Sequence, residues 1–427
     1  MSNIISLTIE NFRSYKEKTT FTFEAVDSDA RSGNYHDVKL ENGETIRLLN
    51  SAVIYGANAA GKSNIIIAFL ALSSFIRSSK RFDAEDEILY EPYMFSSSTR
   101  KSPIKFSVEF VVDKIIYDYY IAYNAKAFIS EKLIRKENDV EIFSRDENGA
   151  THCNANYLPN IDNETYLKNH LALSEFSLKA NSLIQSIYKE LSSIVSIPMT
   201  DEYNVGDNTK EAAKLLHDEP NGVFKQKITK LITEADAGIN GVTIREVEEK
   251  EFKFPVSFPD SLKSRIIKEN KYEINMLHND EDGNPQHLPM QCESAGTKTL
   301  FTVGARVIKA LQEGSFLAYD EMNIALHPKL FRRLVELFHN KETNPNNAQL
   351  LITTHDTSLV EENTMRTDQI WFVEKQNGVS NIYSAIDFEG VSVDQPIESW
   401  YRAGRLGAIP NIKPFDFDGI VDNNVNE

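Results

Sequence analysis

Cysteine is almost missing from this chain of 427 residues: Cys153 and Cys292 are the only two, and they form no C-x-x-C pair. That excludes a disulfide-stapled scaffold and a zinc ribbon, and it suits a reducing compartment. Proline is sparse at 14 residues, and no repeat or low-complexity tract interrupts the sequence, so the composition is that of an ordinary globular chain. Long apolar runs are absent too, since nothing approaches the ~18 residues of a bilayer span. The start, Met1-Ser2-Asn3-Ile4, has no basic segment followed by an apolar one, so no secretory leader is expected and the chain reads as cytoplasmic. Positive charge is outweighed, with 46 Lys and Arg against 63 Asp and Glu for a net charge of −17. This weighs against a mainly electrostatic nucleic-acid binder. Two local basic clusters remain, Arg77/Lys80/Arg81 and Arg265/Lys268/Lys271. Each also suits a solvated helix face.

What is present is enough for a sizeable core: 41% hydrophobic residues over a length that suits two or three domains. Strands are expected at 4–10, 17–24 and 48–55, with a polar loop over 29–45 and a helix from Lys62 to about Ile76. An antiparallel meander is expected from 104–112, 115–123, 127–134 and 140–143. Residues 160–236 carry apolar residues at helical spacing (Leu183, Ile184, Ile187, Leu191) and read as a helical insertion. Strand-like segments return at 240–248 and 271–277. From 294 onward helix and strand alternate: helices at 294–312, 328–339 and 357–362, strands at 315–319, 349–354 and 369–374. That alternation implies a parallel sheet covered by helices. The expectation is an α/β chain whose nucleotide-binding core is split: an N-terminal half over 1–159, the insertion over 160–236 and a C-terminal half over 237–427.

Residues 56–63 read Gly56-Ala57-Asn58-Ala59-Ala60-Gly61-Lys62-Ser63, a full G-x-x-x-x-G-K-[ST] between an apolar strand and a helix. Such a loop wraps phosphates with backbone N–H groups, and the helix start adds partial positive charge. Lys62 would reach the β/γ oxygens and Ser63 would ligate Mg²⁺. A P-loop needs a second acidic element, and the apolar strand 315–319 ends in Asp320 and Glu321. Asp320 would support the metal, and Glu321 would orient the attacking water. Ser294, Ala295 and Gly296 open a helix, and His355 closes another apolar strand. An ABC-type ATPase uses a serine–glycine turn to cap the γ-phosphate held by a partner subunit, and a histidine to sense it. Ser294 equally suits an N-cap, and His355 a polar strand end. The order P-loop, Ser-Gly turn, Asp-Glu, His favours the ATPase.

With these parts in place the chain resembles the SMC/RecF-like ABC ATPases. It is closest to the stand-alone branch found with OLD-family and abortive-infection (AbiLi/RloA-like, AriA-like) proteins. The resemblance is carried by LTIENFRSY (7–15), YGANAAGKSN (55–64), ISEKL (129–133), EADAGINGV (234–242), ESAGTKTLF (293–301), DEMNIALHP (320–328), TTHD (353–356), QIWFVEK (369–375) and YRAGRLGAIP (401–410). It implies an ATPase head that binds ATP and Mg²⁺ between two copies of itself, with Ser294 and Gly296 acting in trans. It also implies that Arg13 lies near the nucleotide or the dimer seam, that Asn64 borders the nucleotide, and that Asn323–His327 cross that seam. The signature reads ESAGT where a longer Leu-Ser-Gly-Gly is usual, and no Q-loop glutamine stands out.

Many OLD-family relatives carry a Toprim nuclease after the ATPase, whereas only about 17 residues follow GAIP here, including Asp416 and Asp418. A Toprim fold needs on the order of a hundred residues, so the two aspartates read as an acidic tail and a nuclease is expected on another chain. The resemblance therefore implies a homodimeric sensor or assembly subunit of a two-gene anti-phage system. Its partner would be a separate effector, a Toprim-type or other nuclease. The alternative is a RecF-like repair clamp that binds duplex DNA in its ATP state.

Overall fold

The computed structural model describes residues 3–179, 181–198, 205–219, 222–235, 238–255, 258–361 and 364–409. Asp416 and Asp418 lie outside the described residues. Strands β1 (Ile4–Glu10) and β2 (Thr19–Thr22) open the chain, followed by a hairpin of β3 (Tyr35–Lys39) and β4 (Thr45–Leu49). β5 (Ser51–Gly56) then leads into helix α1 (Lys62–Ser78). The meander comprises β6 (Ile104–Val112), β7 (Ile115–Tyr123), β8 (Phe128–Arg135), β9 (Val140–Arg145) and β10 (Thr151–Cys153). Next come α2 (Ala172–Phe176), α3 (Ser182–Ser192), β11 (Val195–Ile197), α4 (Val205–His217) and α5 (Val223–Ala235). β12 (Gly241–Glu246), α6 (Asp260–Glu269), β13 (Tyr272–Asn279) and β14 (Pro285–Pro289) precede the long helix α7 (Ala295–Glu313). The chain closes through β15 (Phe316–Tyr319), α8 (Pro328–His339), β16 (Gln349–Thr353), α9 (Ser358–Glu361), β17 (Ile370–Gln376), β18 (Val379–Ser384) and α10 (Glu398–Arg402).

Two sheets organise these elements. The meander extends onto the N-terminal strands as an antiparallel sheet of order β10-β9-β8-β7-β6-β1-β2. The second sheet has the order β11-β15-β16-β5-β17-β18, parallel except for the last pair. All six residues of β5 and all five of β16 are buried, as strands covered on both faces must be. Period-two alternation divides β5 between two cores. Ala52 and Ile54 join the core around α1 and the antiparallel sheet, while Val53 and Tyr55 join the core of α4, α5, α7 and α8.

Two details depart from the sequence expectation. The polar stretch 29–45 contains β3, whose hairpin with β4 buries Leu48 and Leu49. The helix-rich stretch 160–236 is crossed by β11, which adds an edge strand beside β15 and ties the helices to the core sheet. Three residues, Val195–Ile197, are too few for periodicity to distinguish from a helix end. The segment's two flanks divide accordingly: α2 and α3 pack against α1, while α4 and α5 pack against α7.

Candidate nucleotide-binding site

The phosphate loop, the acidic pair and the histidine stand at the carboxyl ends of three adjacent parallel strands, β5, β15 and β16. That end of an open α/β sheet is where ligands bind, because helix starts converge there. Gly61 caps α1 with φ 116° and no side-chain hydrogen bond. A Cβ on Gly61 would meet Ser380 Oγ at 2.5 Å and Ser14 Oγ at 2.7 Å, and one on Gly56 would collide with the Val373 carbonyl oxygen. Both positions therefore require glycine. Ala57 is half-buried, Asn58 and Ala59 are exposed at the tip, Ala59 has φ 60°, and Ala60 is buried. No capping side chain satisfies the first N–H groups of α1, and apart from Asn64 N, which bonds back to Gly61 O at 3.2 Å, they are available to an anion.

Lys62 is 5% exposed, and its Nζ donates to Gly56 O at 3.1 Å and sits 2.9 Å from His355 Nε2. A protonated lysine can only donate, so His355 Nε2 accepts and the imidazole is neutral. Burial lowers the pKa of His355, and the Lys62 ammonium lowers it further. Burial also lowers Lys62, against the pull of Glu321 and Asp320. Glu321 Oε1 lies 3.3 Å from His355 Nε2 and 4.0 Å from Lys62 Nζ. Its pKa is raised, first by burial; Lys62 opposes the rise and Asp320 adds to it.

Ser63 Oγ donates to Asp320 Oδ1 at 3.1 Å, and Asp320 is 2% exposed. Buried Thr353 donates to the same carboxylate and accepts from the backbone N–H of Glu321 at 2.9 Å. Among the described residues no group of three or more His, Cys, Asp or Glu is placed to hold a metal. A metal caged by protein alone is therefore not supported here. The Ser63–Asp320 pair instead fits Mg²⁺, which keeps most of its ligands as water and phosphate oxygens.

The segment 10–15 clamps this loop from the side. Arg13, with φ 51°, pairs with Glu91 at 2.6 Å and reaches Asn64 Oδ1 at 3.3 Å. Asn64 donates to Ser14 Oγ, Ser380 donates to Ala60 O and accepts from the Ser14 hydroxyl, and buried Tyr15 donates to Gly61 O at 3.2 Å. Left-handed backbone at non-glycine residues recurs around the site, at Asn11, Arg13, Ala59, Glu321 and Ala325. Such conformations cost energy and persist where surrounding contacts enforce them.

Ser294 and Gly296 stand apart from this cluster. Ser294 is exposed at the start of α7, and its Oγ accepts from Thr297 N at 3.0 Å. A Cβ on Gly296 would lie 3.1 Å from Ala325 O, so the turn rests on the loop after Glu321. That loop is held to β16 by Thr354, which donates to Asn323 Oδ1 at 2.7 Å, while Ile324 is 43% exposed. The sequence reading missed Ser14, Tyr15, Thr353 and Thr354, although all four sit inside quoted motifs. It also missed Glu91 and Ser380, for which no local pattern exists.

No curated protein matches the chain closely enough to count. Among the solved structures that resemble it over most of its length, three stand for the rest. They are an SMC head bound to the C-winged helix domain of ScpA, at 13% identity and TM-score 0.45; the SMC head domain from Thermotoga maritima, at 15% and 0.40; and a Pyrococcus furiosus SMC head with an extended coiled coil, bound to the C-terminal domain of ScpA, at 13% and 0.43. They cover 94%, 90% and 95% of this chain and 99%, 98% and 99% of their own. Residues 51–361 match the family model described as AAA domain, putative AbiEii toxin, Type IV TA system. The matched span runs from the strand before the P-loop to just beyond His355, and the chain belongs to that AAA family of AbiEii-like ATPases.

Proposed function

We propose that this chain is a cytoplasmic ATPase that binds Mg-ATP between two head-to-tail copies of itself and hydrolyses it. The observation that carries the reading is the meeting of Lys62, Glu321 and His355 beside the Ser63–Asp320 pair. The loop N–H groups and Lys62 hold the β- and γ-phosphates. Ser63, supported by Asp320, holds Mg²⁺, which when bound neutralises charge between those phosphates. Glu321 aligns water and takes its proton, a task suited to a carboxylate whose basicity burial has raised. Neutral His355 stands between Lys62 and Glu321, where it senses the γ-phosphate. Arg13 and Asn64 border the loop. Ser294 and Gly296 complete the partner's site, which suits a turn whose serine is exposed.

Within the cell we infer a sensor or assembly role in a two-gene anti-phage system, with a separate nuclease as effector. The family's description names a toxin and a toxin–antitoxin system, a two-gene setting. The helical stretch through α5 and the meander lie off the nucleotide chemistry and offer surfaces for such a partner.

Glu321→Gln tests the enzymatic reading. It keeps size and hydrogen bonding but loses the base, so turnover should fall ~10²-fold or more while ATP stays bound and dimers accumulate. Normal turnover in this variant would remove Glu321 from the mechanism. For the cellular role, the chain is expressed with and without its neighbouring gene and challenged with phage. Protection should need both genes and an intact Lys62. Full protection by the chain alone would favour a direct DNA-acting clamp.

A further inference from the structure

The closing run YRAGRLGAIP carries no residue that the phosphate chemistry uses, yet its described part, through Ile409, is fastened to the strands that lead into the site. Leu406 and Ala408 are buried, Tyr383 donates to Leu406 O at 3.1 Å, and Ala408 N donates to Glu374 Oε1 at 2.6 Å. Gly407 has φ 66°, and a Cβ on it would collide with Glu374 Oε1, so this turn needs glycine. From that anchorage α10 lays the Tyr401 ring on Phe372 at 5.2 Å and on Tyr55 at 5.6 Å, two residues paired across β17 and β5. Tyr55 is fully buried, and its hydroxyl donates at 3.0 Å to the carbonyl of Asp356, the residue after His355. Glu361, at the end of α9, pairs with Arg402 of α10.

We propose that Tyr401 and Tyr55 are positioning residues for His355: Tyr401 steadies the Tyr55 ring, whose hydroxyl fixes the Asp356 carbonyl and with it the imidazole beside the γ-phosphate. The proposal rests on the reading of His355 as the γ-phosphate sensor and extends it to the C-terminal segment. The His355 imidazole is exposed and leans on Lys62 and Glu321, two groups that the nucleotide itself would engage. Its height over the phosphates is therefore set by the backbone on either side. On one side Thr354 N bonds to Ile54 O at 3.3 Å, and its hydroxyl donates to Asn323. On the other side stands the Tyr55 hydroxyl. A buried phenol needs an acceptor, and here the acceptor ties β5, which runs into the P-loop, to the turn that carries the sensor. The direction of that hydroxyl follows the ring, and the ring is held by Phe372 and Tyr401. The Arg402–Glu361 pair joins the same elements, but both side chains are exposed and such pairs contribute little, so the aromatic contact is what holds. Packing alone accounts for the burial of Leu406 and Ala408. It does not account for a stack that ends, through a hydroxyl, on the residue after His355.

The test uses the full chain and reads ATP affinity by calorimetry beside turnover, the latter under single-turnover conditions so that slow variants stay measurable. Tyr401→Ala should slow turnover ~10-fold, because small misplacements of a reacting constellation are costly. Its ATP affinity should stay within about twofold of the parent, as expected where only the reacting state loses an interaction. Tyr401→Phe keeps the ring and should retain both. Tyr55→Phe keeps the stack but loses the hydroxyl, so turnover should fall several-fold at unchanged affinity. If Tyr401→Ala fails to fold, Tyr55→Phe, which lacks a single oxygen, decides on the same readouts. The decisive arm repeats both changes on His355→Ala, which should itself be slow. With the sensor gone its supports have nothing to place, and each change should add less than about twofold. Full losses that persist on His355→Ala, parent-like turnover in Tyr55→Phe, or affinity falling in step with turnover would each overturn the proposal. Normal turnover by His355→Ala would sink the sensor reading and the proposal with it. Slow His355→Ala beside a normal Tyr401→Ala would sink the proposal alone.

Discussion

The helices α1 and α7 begin differently, although both start on a small-residue turn assigned to phosphate. At α1 the cap is Gly61, no side chain satisfies the first N–H groups, and the P-loop, Asp320 and His355 converge within hydrogen-bond reach. At α7 the cap is Ser294, whose own hydroxyl accepts from Thr297 N, and the surface in front of it is exposed. One helix start is wired into a site by its own chain. The other is satisfied locally and left facing outward, beside the exposed Ile324 and Ala325. This difference is what a site shared between two copies requires, and it can be attacked from either side.

The largest effect is expected at α1. Lys62→Ala removes the buried ammonium that would meet the β/γ oxygens, about two charge-assisted bonds or ~3–6 kcal/mol. ATP affinity should drop ~10²- to 10⁴-fold in a calorimetric titration. Unchanged affinity would mean that the phosphates bind elsewhere.

Next comes the outward-facing start. Ser294→Arg places a long cation on an exposed turn, where it would block a partner's P-loop. Turnover should fall ~10²-fold while ATP binding by the monomer persists. Mixed with Lys62→Ala chains, it should recover part of the wild-type rate, because one of the two shared sites is then intact. Verified mixed dimers without recovery would place each site within one chain and dissolve the contrast between the helix starts.

Thr353→Val acts on the wiring rather than on either helix start. It deletes a hydroxyl that donates to Asp320 and accepts from Glu321 N, while shape is nearly kept. A buried N–H left without its partner costs about 1–3 kcal/mol, and the misplaced Glu321 should slow turnover ~10-fold with little loss of ATP affinity. A loss of affinity as large as that of Lys62→Ala would show that Thr353 supports binding instead.

The same contrast explains what could be read in advance. The α1 side was legible because its parts are contiguous: glycines, lysine and serine within eight residues directly after a strand, then Asp-Glu at the end of an apolar strand. That the later strands form a parallel sheet followed from alternating helix and strand, whereas the order β15-β16-β5 did not. The supports were not legible, since Ser380 and Ser14 reach the loop, and Glu91 reaches Arg13, from positions far apart in sequence, through contacts that leave no periodic signature. β11 was hidden for a different reason: three residues of a parallel edge strand owe their conformation to β15, not to their own pattern.

The smallest expected effect separates the two roles that Ser294 can hold. As an N-cap alone, its value is about 1 kcal/mol of stability, which Ala forfeits and Gly largely retains. As a contact to a partner's γ-phosphate, its value lies in the hydroxyl, which Ala and Gly lack equally and Thr keeps. Three variants therefore discriminate without any large perturbation. If Ser294 only caps α7, thermal stability and turnover should move together, with Ala lowest and both Gly and Thr near the parent chain. If the hydroxyl works across the seam, Ala and Gly should lose the same several-fold of turnover although only Ala loses appreciable stability, and Thr should retain both. The composite reading expects the second pattern, measured as turnover at saturating ATP beside a thermal melt of each variant. The first pattern would leave α1 as the phosphate-binding helix and reduce α7 to a scaffold.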